Sequence, residues 1–519
     1  MNTYYVNNNH AQASDANPGT EALPWFTIQK AANTLGAEDT VHVQAGNYDE
    51  FITITHSGLA GKMITFRAAA GDNVVTKGFW IKGDYVKVEG FEVTDTLPTN
   101  ATGLGIALRG SDSQIVGNYI HDTYGSGIGR VLTSDELHRV AIISNTIYKT
   151  RNAGIYLAGT GHLIEGNDIS YTQSHFPGAA NVTDSDGIRI FGSDHVIKNN
   201  FIHDIRQDIY AETHIDSFQT WAESTTPPVR NSTFQGNLCM NIGDTGVQMT
   251  SYTPPTIGTA TGNVFRGNVF INMNTVFNMT NIQGITIENN TFINLSSGIG
   301  GGLGSHEFHI RNNIFYDVGR PYQFFDPASR VDTRVDYNLS YLYGPLFYLQ
   351  YDNPAYDIPV DYTDPNGIFG SDPLFVADHT NNLLTLFADI RYLDRFRVME
   401  AWNQLEEGTY KDTQRAYLWN KAYRMSESEM DVLFDQLNAM TASEKSAMWQ
   451  QLDALYEQEK FLILGPDSKP FTEDDGLRLR ENSPAIGAGQ HGADIGAYAV
   501  GRGGEDTVAP STPTGFHVF

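Results

Sequence analysis

The chain has 519 residues, 40% of them apolar, and a formal net charge of −27. That length is enough to bury a large core, either as two or three domains or as one elongated repeat domain. The negative charge argues against a nucleic-acid partner, which needs clustered Lys and Arg, and the lack of a long apolar run predicts no membrane span.

The amino-terminal segment has the features of an end cap. Residues 26–35, FTIQKAANTL, form a short amphipathic segment, and strand-like sequence follows at residues 38–54. A repeat protein needs such a cap because its first coil would otherwise expose an apolar cross-section. The regular repeats begin at residues 84–95, DYVKVEGFEVTD. The opening residues lack the charged and apolar regions of a signal peptide, so we expect a secreted protein whose export signal has been removed.

The middle of the chain repeats a segment in which apolar residues alternate around an asparagine, as in SQIVGNYIHDT (113–123). The aligned asparagines are Asn118, Asn145, Asn167, Asn200, Asn237, Asn268, Asn290 and Asn313. The shortest step between them is 22 residues, the length of one coil of a parallel β-helix that contains three short strands. We interpret the asparagines as a ladder that satisfies backbone groups at an inward bend.

A second strand follows each Asn segment, and its side chains alternate between the interior and the surface. The predicted inward residues are Ile128, Ile155, Ile188, Phe218, Val247, Phe277 and Ile299. The next residue in each strand points outward, which predicts a polar stripe of Tyr156, Arg189, Gln219, Gln248 and Asn278. Asp186 and Asp216 precede this stripe on neighbouring coils, so their carboxylates need a proton, a cation or a basic partner.

Three consecutive ladder steps are long, at 33, 37 and 31 residues, and they place insertions at residues 172–186, 206–216 and 250–262. Insertions in a solenoid lie on its outside and often build the binding face. These three flank the polar stripe. Their position predicts a functional cluster that comprises Asp184, Asp186, Arg189, His214, Asp216 and Gln219.

The sequence changes character near its C-terminus. Residues 389–462 are rich in Leu, Glu, Gln, Met and Lys at helical spacing, and TASEK (441–445) has the pattern of a helix N-cap. We predict two or three helices inserted into a β-helix that occupies residues 1–388 with its cap. Residues 463–500 are predicted to return to strand as a closing coil, and residues 501–519 to form a linker.

Several segments resemble secreted right-handed parallel β-helix proteins that degrade polysaccharides, among them pectate-lyase-like and alginate-lyase-like enzymes. The likeness lies in YYVNNN, DANPGT, PWFTIQKAAN and DTVHVQAGNYDE near the amino terminus, and in NSPAIGAG and DIGAY near the end. DTVAPSTPTGFHVF resembles the linker and first strand of a fibronectin type III module, cut short. The resemblance covers roughly residues 3–385 and 477–519. It implies an all-β fold, a right-handed parallel β-helix with an inserted helical segment, that acts on polysaccharide; we expect a monomer.

The resemblance first implies a lyase that cleaves a uronate-containing glycan by β-elimination. This reaction needs a base for the proton α to the carboxylate and a positive charge that neutralises the carboxylate. The candidate catalytic residues are Arg189, His214, Asp216, Asp186, Lys149 and His203. The candidate Ca²⁺ ligands, chosen because Ca²⁺ prefers oxygen atoms, are Asp184, Asp186, Asp204, Asp208 and Asp216. The candidate substrate-binding residues are Tyr156, Gln219, Trp221, Gln248, Arg206 and Tyr210.

Two alternatives use the same stripe. A glycoside hydrolase would take Asp186 and Asp216, or one of them with Asp184 or Asp208, as acid and base. An acidic chain also fits an uncharged glycan better than a uronate polymer. A carbohydrate-binding β-helix would keep the cleft without the chemistry, and the sequence alone leaves all three open.

Overall fold

Parallel strands account for most of the structure. A computed structural model of the chain describes residues 1–131, 136–173, 183–205, 214–222, 228–251, 260–302, 304–324, 332–344, 347–348, 364–378, 382–404 and 426–498. In these residues the chain passes through three faces in each coil, and strands of neighbouring coils pair in parallel. Since connections between parallel strands are right-handed, the fold is a right-handed parallel β-helix, as the repeats predict.

The first face is one sheet of thirteen strands. In spatial order it contains Thr3–Val6, Thr40–Val43, Ile64–Ala68, Val86–Glu89, Gln114–Val116, Ala141–Ile143, Leu163–Glu165, Val196–Lys198, Thr233–Gln235, Val264–Arg266, Gln283–Glu288, His306–Arg311 and Arg334–Asp336.

The other two faces share long strands that continue from the second face onto the third: Gly46–Ile54, Val74–Ile81, Val269–Thr280 and Thr291–Gly302. Strands of the second face alone are Glu92–Val93, Tyr119–Thr123, Thr146–Thr150, Asp168–Ser170, Phe201–Ile205, Leu238–Ile242, Ile314–Val318, Leu339–Tyr343 and Ile368–Phe369. Strands of the third face alone are Ile106–Leu108, Ile128–Arg130, Leu137–His138, Ala153–Thr160, Asp186–Ser193, Asp216–Trp221, Thr245–Thr250, Tyr322–Phe324 and Phe347–Tyr348.

The register of the third face agrees with the predicted alternation. Ile188 pairs with Phe218 and Phe218 pairs with Val247, and all three side chains are buried in the core. The predicted outward residues are also in register: Tyr156, Arg189, Gln219, Gln248 and Asn278 stand on successive coils. The period-two pattern therefore fixes which side of each strand faces the surface.

The asparagine ladder is present at the turn between the first and second faces. Asn200 is typical, because both its backbone N–H and its side-chain amide donate to Oδ1 of Asn237, at 3.0 and 2.9 Å. Its amide also donates to the Ile164 carbonyl at 3.0 Å. The ladder runs beyond Asn313 to Asn338, and it ends on the carboxylate of Asp364.

The residue before each ladder asparagine has a left-handed backbone. Gly117 has φ of 60° and Asn199 has φ of 55°. This conformation is easiest for glycine, with asparagine next. It explains why the repeats carry GN and NN pairs.

A second internal ladder runs along another turn and contains two histidines. The backbone N–H of His162 donates to Nδ1 of His195 at 3.2 Å, and the backbone N–H of His195 donates to Ser232 Oγ at 3.0 Å. The two imidazoles stack with centroids 4.8 Å apart. Burial lowers the pKa of His195 to about 4 and lowers the pKa of His162 well below its usual value. Both rings are therefore neutral at neutral pH.

Helices cover the amino-terminal end and one side of the solenoid. Helix α1 (Ile28–Ala32) begins after Thr27, whose side chain accepts a hydrogen bond from the Lys30 N–H. It inserts Ile28 and Ala31 into the core at the first coil, the position of the predicted cap. Short 3₁₀ turns occur at Ala101–Gly103, Val376–Asp378 and Gln490–Gly492.

The C-terminal helices in the described residues are α2 (Asn382–Asn403), α3 (Glu427–Ala439) and α4 (Ala442–Leu464). Thr441 and Glu444 form the N-cap of α4 that the TASEK segment predicts. The helical segment exceeds the predicted range 389–462 at both ends. At the start it does so because Leu383, Leu386 and Phe387 continue the apolar helical spacing upstream. None of the described helices is long and apolar enough to cross a bilayer.

These helices pack on the outer side of the second face. Apolar residues of α2 and α4 share a buried cluster with outward residues of this face, including Phe201, Leu238 and Met240. Polar links fix the helical layer to the solenoid: Lys460 pairs with Asp204 at 2.6 Å, Arg391 contacts Asp317, and Asn272 donates to Glu459. The inserted segment therefore covers an apolar stripe of the β-helix.

The prediction of a closing coil is wrong for the described part of residues 463–500. Residues 465–498 contain no strand, and they pack against the outside of the second face instead of stacking as a further coil. Their glycines and prolines favour turns over a ladder. The predicted linker and fibronectin start, residues 501–519, lie outside the described residues.

Replacing Asn237 with Ala is expected to lower the free energy of unfolding by about 2–4 kcal/mol, because it leaves buried donors of Asn200 without acceptors. Thermal and urea unfolding followed by circular dichroism would measure this loss. Asn73→Ala, which removes an exposed asparagine side chain, is the matched control. Equal stability of the two variants would contradict a structural role for the ladder.

His195→Asn is expected to make the protein less sensitive to acid. Since the folded-state pKa of His195 is lowered to about 4, the wild-type protein loses stability as pH falls from the unfolded-state value of about 6.5 towards 4. Asn keeps a hydrogen-bond acceptor in the ladder and does not titrate. Unfolding free energies measured across this range should fall less steeply in the variant, and parallel curves would refute the assignment.

Candidate active site

The predicted cluster forms on the third face, where two successive coils bring Asp186, Arg189, Asp216 and Gln219 together. Arg189 and Gln219 are paired residues of adjacent strands. The backbone N–H of Asp216 donates to Asp186 Oδ1 at 3.1 Å, so the two aspartates are also neighbours. Gly187 permits this packing, because a Cβ there would lie 2.7 Å from the Ser217 carbonyl.

Arg189 is the centre of the cluster, and its guanidinium is almost fully buried. Its Nε lies 2.6 Å from Asp186 Oδ2 and 2.8 Å from Gln219 Oε1. Its Nη1 donates to Asn152 Oδ1 at 2.6 Å, and its Nη2 lies 3.3 Å from Asp184 Oδ2. These contacts hold the guanidinium in one orientation and supply a cation for two carboxylates.

Asp216 lacks the partners that Asp186 has. Both side chains are 0% exposed, yet neither carboxyl oxygen of Asp216 has a hydrogen-bond partner among the described residues. Burial raises the pKa of Asp186 to about 6, against the opposing charge of Arg189. Burial and the neighbouring Asp186 raise the pKa of Asp216 well above its usual value. Asp216 is therefore the carboxyl of this pair that keeps a proton at neutral pH.

Asp184 and His214 form the solvent-facing edge of the cluster. Asp184 has 33% of its side chain exposed, and His214 is exposed. The backbone N–H of His214 donates to Asp184 Oδ1 at 3.2 Å. The cluster therefore passes from a half-buried carboxylate at Asp184 to fully buried carboxyls at Asp186 and Asp216.

Aromatic side chains border the cluster. The guanidinium of Arg189 lies 5.9 Å from the Tyr156 ring centroid and 5.5 Å from that of Trp221. Arg130 donates to the Tyr156 hydroxyl at 3.1 Å and lies 4.9 Å from the same ring. Phe191 contacts the Trp221 ring edge to face, with centroids 4.6 Å apart. Tyr156 and Trp221 are both half-buried, as substrate-contacting aromatics would be.

Asn152, Arg130 and Phe191 also border the cluster, and they are not among the residues predicted from the sequence. Asn152 stands in a left-handed conformation (φ 76°) at the corner before the third face, and its carbonyl accepts from the Asp186 N–H. Phe191 occupies the outward position two residues after Arg189, so extending the alternation along that strand would have found it. Arg130 comes from the preceding strand of the stripe and would have needed the side-chain packing.

Three candidates belong to the second face and do not join the cluster. Lys149 hydrogen-bonds Tyr148, which raises its pKa. Burial opposes the charged form of His203, but hydrogen bonds to Asp168 and Asp204 outweigh it and raise the pKa. Asp204 itself binds Lys460 of α4. These residues lie on the outer surface of the second face, where Asp204 also contacts the helical layer. The prediction that groups them with the third-face cluster is therefore wrong.

The remaining predicted substrate-binding and metal-binding residues lie either on the next coil or outside the described residues. Gln248 stands on the next coil and donates to Thr250 Oγ1 at 2.9 Å. Arg206, Asp208 and Tyr210 lie outside the described residues.

The predicted Ca²⁺ site stays a prediction, because Asp208, one of its five ligands, lies outside the described residues. The described residues contain no group of three His, Cys, Asp or Glu side chains arranged to hold a metal ion. The oxygens of Asp184 and Asp186 are engaged by Arg189 and by backbone N–H groups, and Asp204 lies at the helical layer. A buried guanidinium already occupies the position where a cation would neutralise these carboxylates.

The chain is similar to known proteins at the level of the repeat. Residues 130–315 match the family model described as a right-handed beta helix region. Over 138 residues the chain is 33% identical to the uncharacterized protein YwoF of Bacillus subtilis (strain 168), covering 24% of this chain and 28% of that protein. The match thus spans less than a third of the relative's own length.

Solved structures with similar coordinates include three carbohydrate-related proteins. Pectate lyase Pel9A has 16% identity and a TM-score of 0.42, covering 58% of this chain and 77% of its own. XylC in complex with xylose has 14% identity and a TM-score of 0.45, with coverage of 72% and 87%. The GH136 lacto-N-biosidase from Eubacterium ramulus has 14% identity and a TM-score of 0.38, with coverage of 67% and 68%. Similarity at this level says nothing about the activity of this chain.

Asp216→Asn is expected to stabilise the fold at alkaline pH. Because the folded-state pKa of Asp216 is raised, the contribution of this carboxyl to wild-type stability is fully present at low pH and is lost as pH rises through that value. Residue 216 of the variant cannot ionise. The free energy of unfolding of the variant, relative to that of the wild type, should therefore rise by about 1–3 kcal/mol on going from acidic to alkaline pH. Denaturant unfolding at several pH values would measure this gain.

Asp49→Asn is the control for this measurement, because the side chain of Asp49 is 88% exposed. It should leave the pH dependence of stability unchanged. If Asp216→Asn follows the same curve as the control, then Asp216 is already ionised in the native protein and the assignment of its proton is wrong.

Proposed function

We propose that this chain is a glycoside hydrolase that acts on an extracellular glycan, with Asp216 as the acid and Asp184 as the second carboxyl. One observation carries the proposal: Asp216 is a buried carboxyl with two unpartnered oxygens among the described residues, and it lies in one cluster with Asp186 and Asp184, whose carboxylates Arg189 neutralises. Two carboxyls in different charge states are what glycosidic hydrolysis requires.

The charges of the cluster explain why one of its carboxyls keeps a proton. Asp184, Asp186 and Asp216 are three carboxyls, and Arg189 is the cation that contacts two of them. Ionising all three would leave a net negative charge in a region where two of them are fully buried. Desolvation makes that state costly, and the proton remains on Asp216, the carboxyl without a cation partner.

The proposed reaction needs both carboxyls. Asp216 gives its proton to the glycosidic oxygen as the bond from that oxygen to the anomeric carbon breaks, and the leaving sugar departs as an alcohol. Water then forms a bond to the anomeric carbon and loses its proton to the Asp184 carboxylate. Exchange with solvent returns the proton to Asp216 and restores the starting state.

Surrounding groups favour a sugar as the substrate. Tyr156 and Trp221 are half-buried rings beside the cluster, and a pyranose ring presents an apolar face to such rings. Gln219 and Gln248 continue the outward stripe with amides, which can donate to and accept from hydroxyl groups. The resemblance of the repeats to polysaccharide-degrading β-helices is compatible with this substrate class.

The predicted role of Arg189 as a base has to change. Burial alone would lower its pKa, but Asp186 and Asp184 outweigh burial and raise the pKa further above neutrality. A base must be able to lose its proton near the working pH. Arg189 is therefore assigned as a positioning residue for the carboxyls.

A uronate lyase is the second candidate, and one contact favours it. Arg130 donates to the Tyr156 hydroxyl at 3.1 Å, so a guanidinium lies directly beside this phenol at the border of the cluster. In that reaction Tyr156 would remove the proton α to the uronate carboxylate. The two candidates therefore predict different essential residues: Asp216 for hydrolysis and Tyr156 for elimination.

Incubation with a panel of uncharged and uronate-containing glycans would separate the candidates. Hydrolysis produces new reducing ends without ultraviolet absorbance, whereas elimination produces an absorbing unsaturated uronate. On the substrate found, we expect Asp216→Asn to lower kcat by about 10²–10⁴-fold, because the acid is lost, while Tyr156→Phe and the control Asp49→Asn retain most of the activity.

Three results would overturn the hydrolase assignment. Unsaturated products that disappear in Tyr156→Phe would establish elimination instead. Full activity of a folded Asp216→Asn variant would remove Asp216 from the reaction. Binding without products on the whole panel would favour a carbohydrate-binding β-helix.

A further inference from the structure

A second surface with unusual chemistry lies on the outer side of the second face. We define it as the tyrosine tract, which comprises Tyr119, His121, Tyr148 and Tyr171. Tyr119 is 41% exposed and Tyr171 is 37% exposed, so both present a large aromatic side chain to solvent. The tract takes no part in the proposed active site.

The rings of the tract form a continuous row across three coils. Tyr119 stacks on His121 with centroids 4.3 Å apart. His121 pairs in register with Tyr148, and Tyr148 meets Tyr171 edge to face at 5.3 Å. Since successive coils are about 4.8 Å apart, the row extends for roughly 10 Å along the solenoid axis, the length of a short oligosaccharide.

The same face changes composition where the helices begin to cover it. In register after Tyr148 come Ser170, His203 and Met240, and in the adjacent column Asp168 is followed by Phe201 and Leu238. The apolar residues are covered by α2 and α4. The tyrosine tract begins where the helical layer no longer covers the second face. Its side chains are aromatic and polar, whereas the covered side chains are apolar.

Polar groups surround the rings and are held in place. His121 has its Nδ1 2.7 Å from Asp122 and its Nε2 3.2 Å from Glu92. The side chains of Asp122 and Asp168 are each 48% exposed, so their oxygens are available to hydroxyl groups. Lys149 lies over the Tyr148 ring, 5.0 Å from its centroid.

We propose that the tyrosine tract is a second carbohydrate-binding site, which takes an uncharged glycan chain of two or three sugar units. The exposed rings offer faces for the apolar side of pyranose rings, and the carboxylates accept hydrogen bonds from sugar hydroxyls. The proposal does not depend on the hydrolase assignment, because it concerns a different face and requires no chemistry.

Charge selects the class of glycan. Glu92, Asp122 and Asp168 border the rings. Lys149 lies over Tyr148, and Lys460, which interacts with Tyr171, is paired with Asp204, while the whole chain carries −27. This field repels uronate and sulfate polymers. The exposed carboxylates of Asp122 and Asp168 also distinguish the tract from a protein interface, whose buried centre is depleted of charge.

Affinity electrophoresis in gels that contain hydroxyethyl cellulose, xylan or glucomannan, with alginate as the charged comparison, would test the site. The double variant Tyr119→Ala/Tyr171→Ala should lose the retardation that the uncharged polymers cause, by at least about tenfold in apparent Kd. Tyr392→Ala is the matched control, because Tyr392 is 52% exposed on α2, away from the tract.

The same gels should be run with Asp216→Asn as the background, so that retardation does not reflect substrate turnover. In that background, retardation that requires Tyr119 and Tyr171 supports the proposal whether or not the protein is a hydrolase. Three results would overturn the proposal. They are retardation of the wild-type protein by alginate, equal retardation of the wild type and the double variant, and no retardation by any uncharged polymer. A self-association that sedimentation detects in wild type and that the double variant loses would also overturn it, because the tract would then be a dimer interface.

Discussion

From Asn118 to Asn338 each coil of the solenoid turns inward at one asparagine, and that bend leaves backbone N–H and C=O groups without a strand partner. Asn200 and Asn237 show the solution, since each side chain accepts from the coil before it and donates to the coil after it. A buried polar group without such a partner is costly. The ladder thereby keeps successive coils in one register, and every surface column on the three faces inherits that register.

The sequence predicts this framework well, because a coil is a local pattern that repeats. The spacing of the asparagines gives the coil length, and the alternation around Ile188 and Phe218 gives the inward side. Once the register is known, Arg189 and Gln219 must be neighbours. The central part of the candidate site could therefore be predicted from the residues alone.

What the sequence does not predict depends on packing between distant segments. Lys149 and His203 are basic residues of the same repeats, but they follow the ladder turn and so belong to the second face. Asn152 reaches Arg189 only because its backbone is left-handed at a corner. The charge states of Asp186 and Asp216 likewise follow from how completely both are buried, which the residue types do not reveal.

The ion pairs between the helical layer and the solenoid give the two parts of the β-helix different ways to unfold. In a repeat protein each coil contacts mainly its neighbours, so the ends can unravel one coil at a time. Here Lys460 and Arg391 bind Asp204 and Asp317, which lie several coils apart. The coils between them must therefore separate as one block after the helices detach. In the part of the chain that the structure describes, the amino-terminal coils carry no such ion pair to the helices and can separate singly, and Asp186 stands just before the boundary between the two regions.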